Sequence, residues 1–194
     1  MNSIQQALVF TITTFFSIYI MIVLFRFLLQ LFRADYRNPI SQFVVKATSP
    51  VLVPLRKIIP GWGGVDFASI ILLILLKTLE SILLLLIVGK LQQPTAMILV
   101  SLSLQGFGEL INLTINMFMF FIVILAIISW IQPQGHNPIL SLFAQITDPL
   151  LRPIRRRLPP MGGLDLSPMI LLFLLGLSKI LIVGQIMELA YYIR

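Results

Sequence analysis

Four long apolar stretches constrain this chain more than anything else in it. They run from about Ala7 to Phe32, Phe67 to Val88, Leu110 to Ile131 and Leu166 to Met187. Each is long enough to cross the hydrocarbon core of a bilayer, which takes about 20 residues. Backbone at that depth has no water to bond with, so a lone segment can cross only as a helix. The rest of the chain agrees, being 58% hydrophobic and 11% charged over 194 residues, where a soluble domain carries about 25% charged residues. The expected fold is an all-α integral membrane protein with four transmembrane helices. Residues 95–104 are apolar as well, but ten residues are too few to cross; they read as a short non-spanning segment in a linker. No Lys or Arg precedes the first stretch, and it exceeds the apolar core of a signal peptide, about 7–15 residues. It is expected to remain as the first helix.

The net charge of +7 is placed for a membrane surface and gives no reason to expect nucleic acid as a partner. Arg26, Arg33, Arg37, Lys46, Arg56 and Lys57 lie at the end of the first span or in the connection after it. Arg152, Arg155, Arg156 and Arg157 lie between the third and fourth spans, so that these two regions hold ten of the fourteen basic residues. Lys90 and Arg194 fall on the other side, and Lys77 and Lys179 inside spans. The positive-inside rule then puts both long connections in the cytoplasm and both termini outside.

The chain also repeats itself at an offset of 99 residues. Asn38-Pro39-Ile40 returns as Asn137-Pro138-Ile139, Pro50 as Pro149, and Arg56 as Arg155. Gly63, Gly64 and Asp66 return as Gly162, Gly163 and Asp165, and 12 of the 29 positions from 38 to 66 are identical without a gap. The unit is helix, basic amphipathic cytoplasmic segment, helix. Two like-oriented copies are parallel repeats, related by a pseudo-twofold along the membrane normal. The boundaries are a first repeat at 1–90, an external linker at 91–109 and a second repeat at 110–194.

Within each copy, Ser49-Pro50 and Asp148-Pro149 fit the start of a helix: a capping side chain, then proline where its missing N–H costs nothing. Pro54 and Pro153 should then kink or shorten it. The following VLVPLRKII and LLRPIRRRL are expected along the inner leaflet, with Arg56, Lys57 and Arg155–Arg157 on anionic lipid headgroups. Asp66 and Asp165 are expected to cap the second and fourth spans, with Ser167-Pro168 as another possible start.

The order of features in the second copy is specific: Ser129-Trp130-Ile131, Asn137-Pro138, Thr147-Asp148-Pro149, Pro153-Ile154-Arg155-Arg156, then Gly162-Gly163-Leu164-Asp165-Leu166-Ser167-Pro168. It resembles the YggT/YlmG family of small bacterial and plastid membrane proteins, in the two-copy proteobacterial form. The first copy departs from it, with Leu31 where Trp130 stands, Val53 for Arg152, and Ala68-Ser69 for Ser167-Pro168. The resemblance implies a multi-pass protein of the bacterial inner membrane, and association with osmotic and ion homeostasis, division-machinery neighbours, and cytochrome assembly or nucleoid organisation in plastids. Roles so diverse suit an assembly or organising helper better than a catalyst, and no family active site comes with them.

The residues themselves favour no reaction. There is no cysteine and one histidine, His136, which leaves neither thiolate chemistry nor a metal cluster, and no cofactor is expected. Lys77, Glu80 and Lys179 are the intramembrane charges, expensive and therefore candidates for function. The offset aligns Glu80 with Lys179, which suggests an ion pair between the second and fourth spans; Lys77 and Glu80 can also satisfy each other within one helix. Asn112 and Asn116 share a helix face, either as interhelical hydrogen bonds or as a polar lining. Arg152, Arg156 and Arg157 are candidates for lipid or partner contact. Two readings follow: a non-enzymatic inner-membrane helper that docks lipids or other membrane proteins through its basic segments, or a subunit, in an oligomer, of an ion or osmolyte transporter built on Lys77, Glu80 and Lys179.

Overall fold

A computed structural model describes residues 2–89, 96–131, 137–158 and 165–193, with only the backbone of 130 and 131. The helices are α1 (Ser3–Leu31), α2 (Pro39–Ile58), α3 (Phe67–Val88), α4 (Ala96–Ile131), α5 (Pro138–Arg157), α6 (Ser167–Ser178) and α7 (Gly184–Ile193), with a π-helical turn, Lys179–Val183, joining the last two. Four helical stretches are long and apolar enough to cross a membrane: α1, α3, α4, and α6 through α7. The two-repeat, all-helical architecture is therefore as expected.

The third span differs from expectation. The apolar residues after Ala96 are not a separate short segment; they are the first turns of a continuous 36-residue α4. At 1.5 Å per residue it is about 54 Å long, well beyond the hydrocarbon core. Its added turns are used in packing. Ser101 Oγ donates to the Ala190 carbonyl at 2.8 Å. Gly108 lies so close to α7 that a Cβ there would meet Ile186 at 3.0 Å, and one at Gly106 would meet Lys77 of α3 at 3.0 Å. Two glycines, separated by Phe107, thus let α4 approach a helix on each side, the use of small residues expected where lipid gives helices no hydrophobic reason to associate.

The amphipathic helices also begin earlier than expected. Asn38 and Asn137 are the N-caps of α2 and α5, each Oδ1 accepting the N–H two residues on at 2.9 Å, with Pro39 and Pro138 at the first helical position. Ser49-Pro50 and Asp148-Pro149 are therefore mid-helix, not starts. Pro50 removes the N–H that the Lys46 carbonyl would receive. Lys46, Pro50 and Pro54 are exposed, so the freed carbonyls lie on a side of the helix open to headgroups and water. Ser41, Val44, Thr48 and Leu52 form the buried face of α2, and Leu142, Ile146, Thr147 and Leu151 that of α5.

The main core gathers Ile20, Val23, Leu24 and Leu28 of α1 with Leu52, Leu72, Phe118, Phe121, Leu142 and Ile146. The starts of α2 and α5 meet, with Asn38 Nδ2 donating to the Pro138 carbonyl at 2.7 Å. Helix α4 packs on α3, α5, α6 and α7. The pseudo-twofold is incomplete: α3 packs on α4, but α6 and α7 make no comparable packing on α1.

Candidate functional site

Lys77 stands 11 residues after Asp66 and 12 before Gly89, about 16 and 18 Å from the two ends of its helix, near the middle of α3. Its Nζ is 2.9 Å from Glu80 Oε2 and 3.0 Å from Glu109 Oε2. Glu80 is buried at 5% exposure, whereas the Glu109 side chain is 46% exposed. One ammonium therefore serves two carboxylates at membrane depth. The expected Glu80–Lys179 pair does not form. Lys77 reaches Glu80 over one helical turn, and α3 makes no packing on α6 or α7 comparable to its packing on α1 and α4, so the second and fourth spans do not bring Glu80 and Lys179 together. Lys179 Nζ instead donates to Asn116 Oδ1 at 3.0 Å.

Sequence reasoning hides Glu109, because a linker over 91–109 takes it in. Continuing the third span back to Ala96 would have exposed it, since Glu109, Asn112 and Asn116 follow helical spacing and share one face of α4. These three, with Ser17, Ile20, Met21, Lys77 and Leu113, line a pocket of about 380 Å³. Asn112 Oδ1 is buried there without a hydrogen-bond partner. An apolar cavity of about 440 Å³ adjoins it, sharing Met21, Leu113 and Asn116. Positions 99 residues apart line this cavity together: Met21 with Phe120, Ile22 with Phe121, Val44 with Phe143. Ser17 and Asn116 do the same in the polar pocket. The two copies thus face each other across two adjoining spaces, one apolar and one polar.

At the α2–α5 end the repeated motif forms the same ion pair twice. An Arg56 guanidinium nitrogen, Nη2, donates to Asp66 Oδ2, and Arg155 Nε donates to Asp165 Oδ2 at 2.9 Å. Asp66 occupies the N-cap position of α3 but makes no capping hydrogen bond; Ser69 Oγ donates to the same Oδ2. Asp165 does meet the start of α6, where its Oδ1 accepts from the Ser167 N–H at 2.9 Å. Burial pushes the Asp66 carboxyl up, and hydrogen bonds from Arg56 and Ser69 more than reverse it, so the group sits below the ordinary carboxylate range. Asp165 is also lowered, its slight burial outweighed by hydrogen bonding from Ser167 and Arg155. Of the four arginines expected on lipid, Arg56 and Arg155 are in this way held by the protein, and so is Arg152, on Asp148 at 2.6 Å.

Arg26 is likewise withdrawn from the surface. It is buried on α1, and its Nη1 donates to the Val45 carbonyl at 3.1 Å and to the hydroxyls of Thr48 and Ser49 at 2.5 and 3.3 Å. Among the described residues, Lys46, Lys57, Arg156 and Arg157 have no ion pair or side-chain hydrogen bond within the chain. Gly63 and Gly64 take left-handed φ of 63° and 84° in a turn closed by reciprocal Trp62–Val65 backbone bonds at 3.1 and 3.2 Å. Gly162, Gly163 and His136 lie outside the described residues.

Comparison with known proteins matches the CCB3/YggT family model twice, at residues 5–87 and 104–186. An uncharacterized protein of Pseudomonas aeruginosa is 41% identical over 186 residues, covering 96% of this chain and 93% of the relative. The uncharacterized protein in the proC 3′ region of Vibrio alginolyticus is 40% identical over 189 residues, covering 96% and 98%. The uncharacterized protein YggT of Escherichia coli K12 is 42% identical over 173 residues, covering 88% and 86%. No solved structure matches. The two family matches are offset by the same 99 residues as the internal repeat, and the chain belongs to the CCB3/YggT family.

Proposed function

We propose that this protein is a non-enzymatic organiser of the bacterial inner membrane, which docks anionic lipid and other membrane proteins through the paired helices α2 and α5. The observation that carries this reading is the division of labour among the basic residues. Arg56, Arg152 and Arg155 are bound to aspartates of the chain. Lys46, Lys57, Arg156 and Arg157 are left facing outward from two amphipathic helices. Such a face, with apolar residues at the acyl boundary and cations above it, suits the cytoplasmic leaflet, where each Lys or Arg near the surface contributes about 1 kcal/mol of attraction. The test is the lipid that copurifies in mild detergent. Phosphatidylglycerol and cardiolipin should be enriched over the bulk membrane, and the enrichment should fall in a Lys57→Gln, Arg156→Gln, Arg157→Gln variant that still folds. Equal lipid composition in the two proteins would sink the reading.

A second reading, transport of an ion or osmolyte, is favoured by one specific arrangement, the Lys77–Glu80–Glu109 cluster beside a polar pocket. Intramembrane charges of this kind are expensive to hold and are for that reason candidates for a substrate pathway. Flux of alkali cations and small zwitterions into proteoliposomes, with Lys77→Met as the comparison, tests it; no flux of either kind would remove it.

A further inference from the structure

We infer that the polar pocket between α1, α3 and α4 binds one monovalent alkali cation, with Glu109 as its anionic ligand. The inference rests on the transport reading only for its biological use; the binding site itself follows from the pocket.

The charge count around Lys77 is the first ground. Glu80 and Glu109 both contact its single ammonium, so the cluster carries one negative charge too many. Glu80 is buried behind Lys77, and the excess is presented by Glu109, which lines the pocket and whose Oε1 has no partner among the described contacts. An uncompensated charge at this depth is costly, and a bound cation removes it. Lys179 is held on Asn116, seven residues along α4 and about 10 Å from Glu109 along the helix axis.

The ligand atoms are the second ground. Besides Glu109, the pocket offers the buried, unpartnered Oδ1 of Asn112 and the hydroxyl of Ser17. Carboxylate, carboxamide and hydroxyl oxygens suit hard cations, and a divalent ion would call for more carboxylate charge than one shared glutamate supplies. No cluster of three or more His, Cys, Asp or Glu side chains occurs among the described residues. The pocket volume of about 380 Å³ also leaves room for the waters such an ion retains.

Equilibrium binding of radiolabelled sodium and rubidium to the full chain in nanodiscs of zwitterionic lipid tests this. The expected result is saturable binding of one ion per chain, with unlabelled alkali ions competing in an order that identifies the preferred one. Glu109→Gln should weaken binding about tenfold or more, and Lys179→Met should tighten it several-fold by removing a repelling charge. Should Glu109→Gln not fold, Asn112→Leu replaces it and is expected to weaken binding as well. Absence of saturable binding overturns the inference, as does uptake of protons alone or a Glu109→Gln protein that folds and binds as before. Flux separates the two claims: binding without transport leaves the site standing and removes the transport reading, whereas undiminished flux through Glu109→Gln does the reverse.

Discussion

Arg56 and Arg155 each reach the aspartate ten residues on, but in different surroundings. The Asp66 side chain is 2% exposed and that of Asp165 is 40% exposed. Removing a buried partner strands the other group, while an exposed pair is screened by water. Asp66→Asn is therefore expected to cost about 2–3 kcal/mol and Asp165→Asn less than about 1 kcal/mol, measured by unfolding in mixed micelles of rising SDS fraction. Both carboxyls sit below their ordinary range when folded, so each stabilises the fold at neutral pH. That contribution declines as the pH falls below about 4, the unfolded value, and is lost once the folded value is passed. Wild-type protein should lose stability in this acid window, and Asp66→Asn should show a flatter profile there. Both aspartates stood out in the sequence as repeated residues at the start of spans, where a cap is the simplest reading. That Arg56 reaches Asp66 depends on how the chain turns at Trp62–Val65; Gly63-Gly64 marks a turn there but does not say which side chains it brings together.

Among the helices, α3 and the pairing of each long helix with an amphipathic one were legible from apolar length and basic flanks. The starts of α2 and α5 were not, because Asn-Pro and Ser-Pro both satisfy the cap-then-proline rule. What separates them is the buried period from Ser41 to Leu52, which runs straight through Pro50. Asn38→Ala should accordingly destabilise α2 by about 1 kcal/mol, while Ser49→Ala leaves its start unchanged, as amide hydrogen exchange at residues 40–43 would reveal. The beginning of α4 was missed for another reason. Gly106 and Gly108 look like interruptions in water, but inside a membrane they are contact points. Gly106→Val should push α3 off α4 and separate Lys77 from Glu109, read as loss of a disulfide crosslink between cysteines introduced at Thr78 and Ser103, whose hydroxyls are 3.5 Å apart. The partner of Lys179 is beyond sequence reach, since equal positions in two repeats meet only where their helices pack, and α3 makes no such packing on the last span.

For the molecule as a whole, the chain contains no cysteine, which makes its orientation directly measurable. Single cysteines at positions 57 and 156 should react with an impermeant maleimide from the same side of the membrane, and one at Ser3 from the opposite side; labelling of 57 and 156 from opposite sides would break the parallel-repeat arrangement. The offset of 99 residues made the duplication plain, while the incomplete twofold could not be anticipated, because the two copies are free to diverge wherever one lacks the other's neighbours. Arg26 shows how far this has gone: Leu125 occupies its place in the second copy, so the halves are no longer interchangeable. The two-sided fit at Gly106 and Gly108 has a consequence for ancestry as well. Helix α4 is gripped by helices of both copies, at Gly106 by α3 and at Gly108 by α7. Two genes, each encoding one half, would be enough to reassemble the whole in a single membrane.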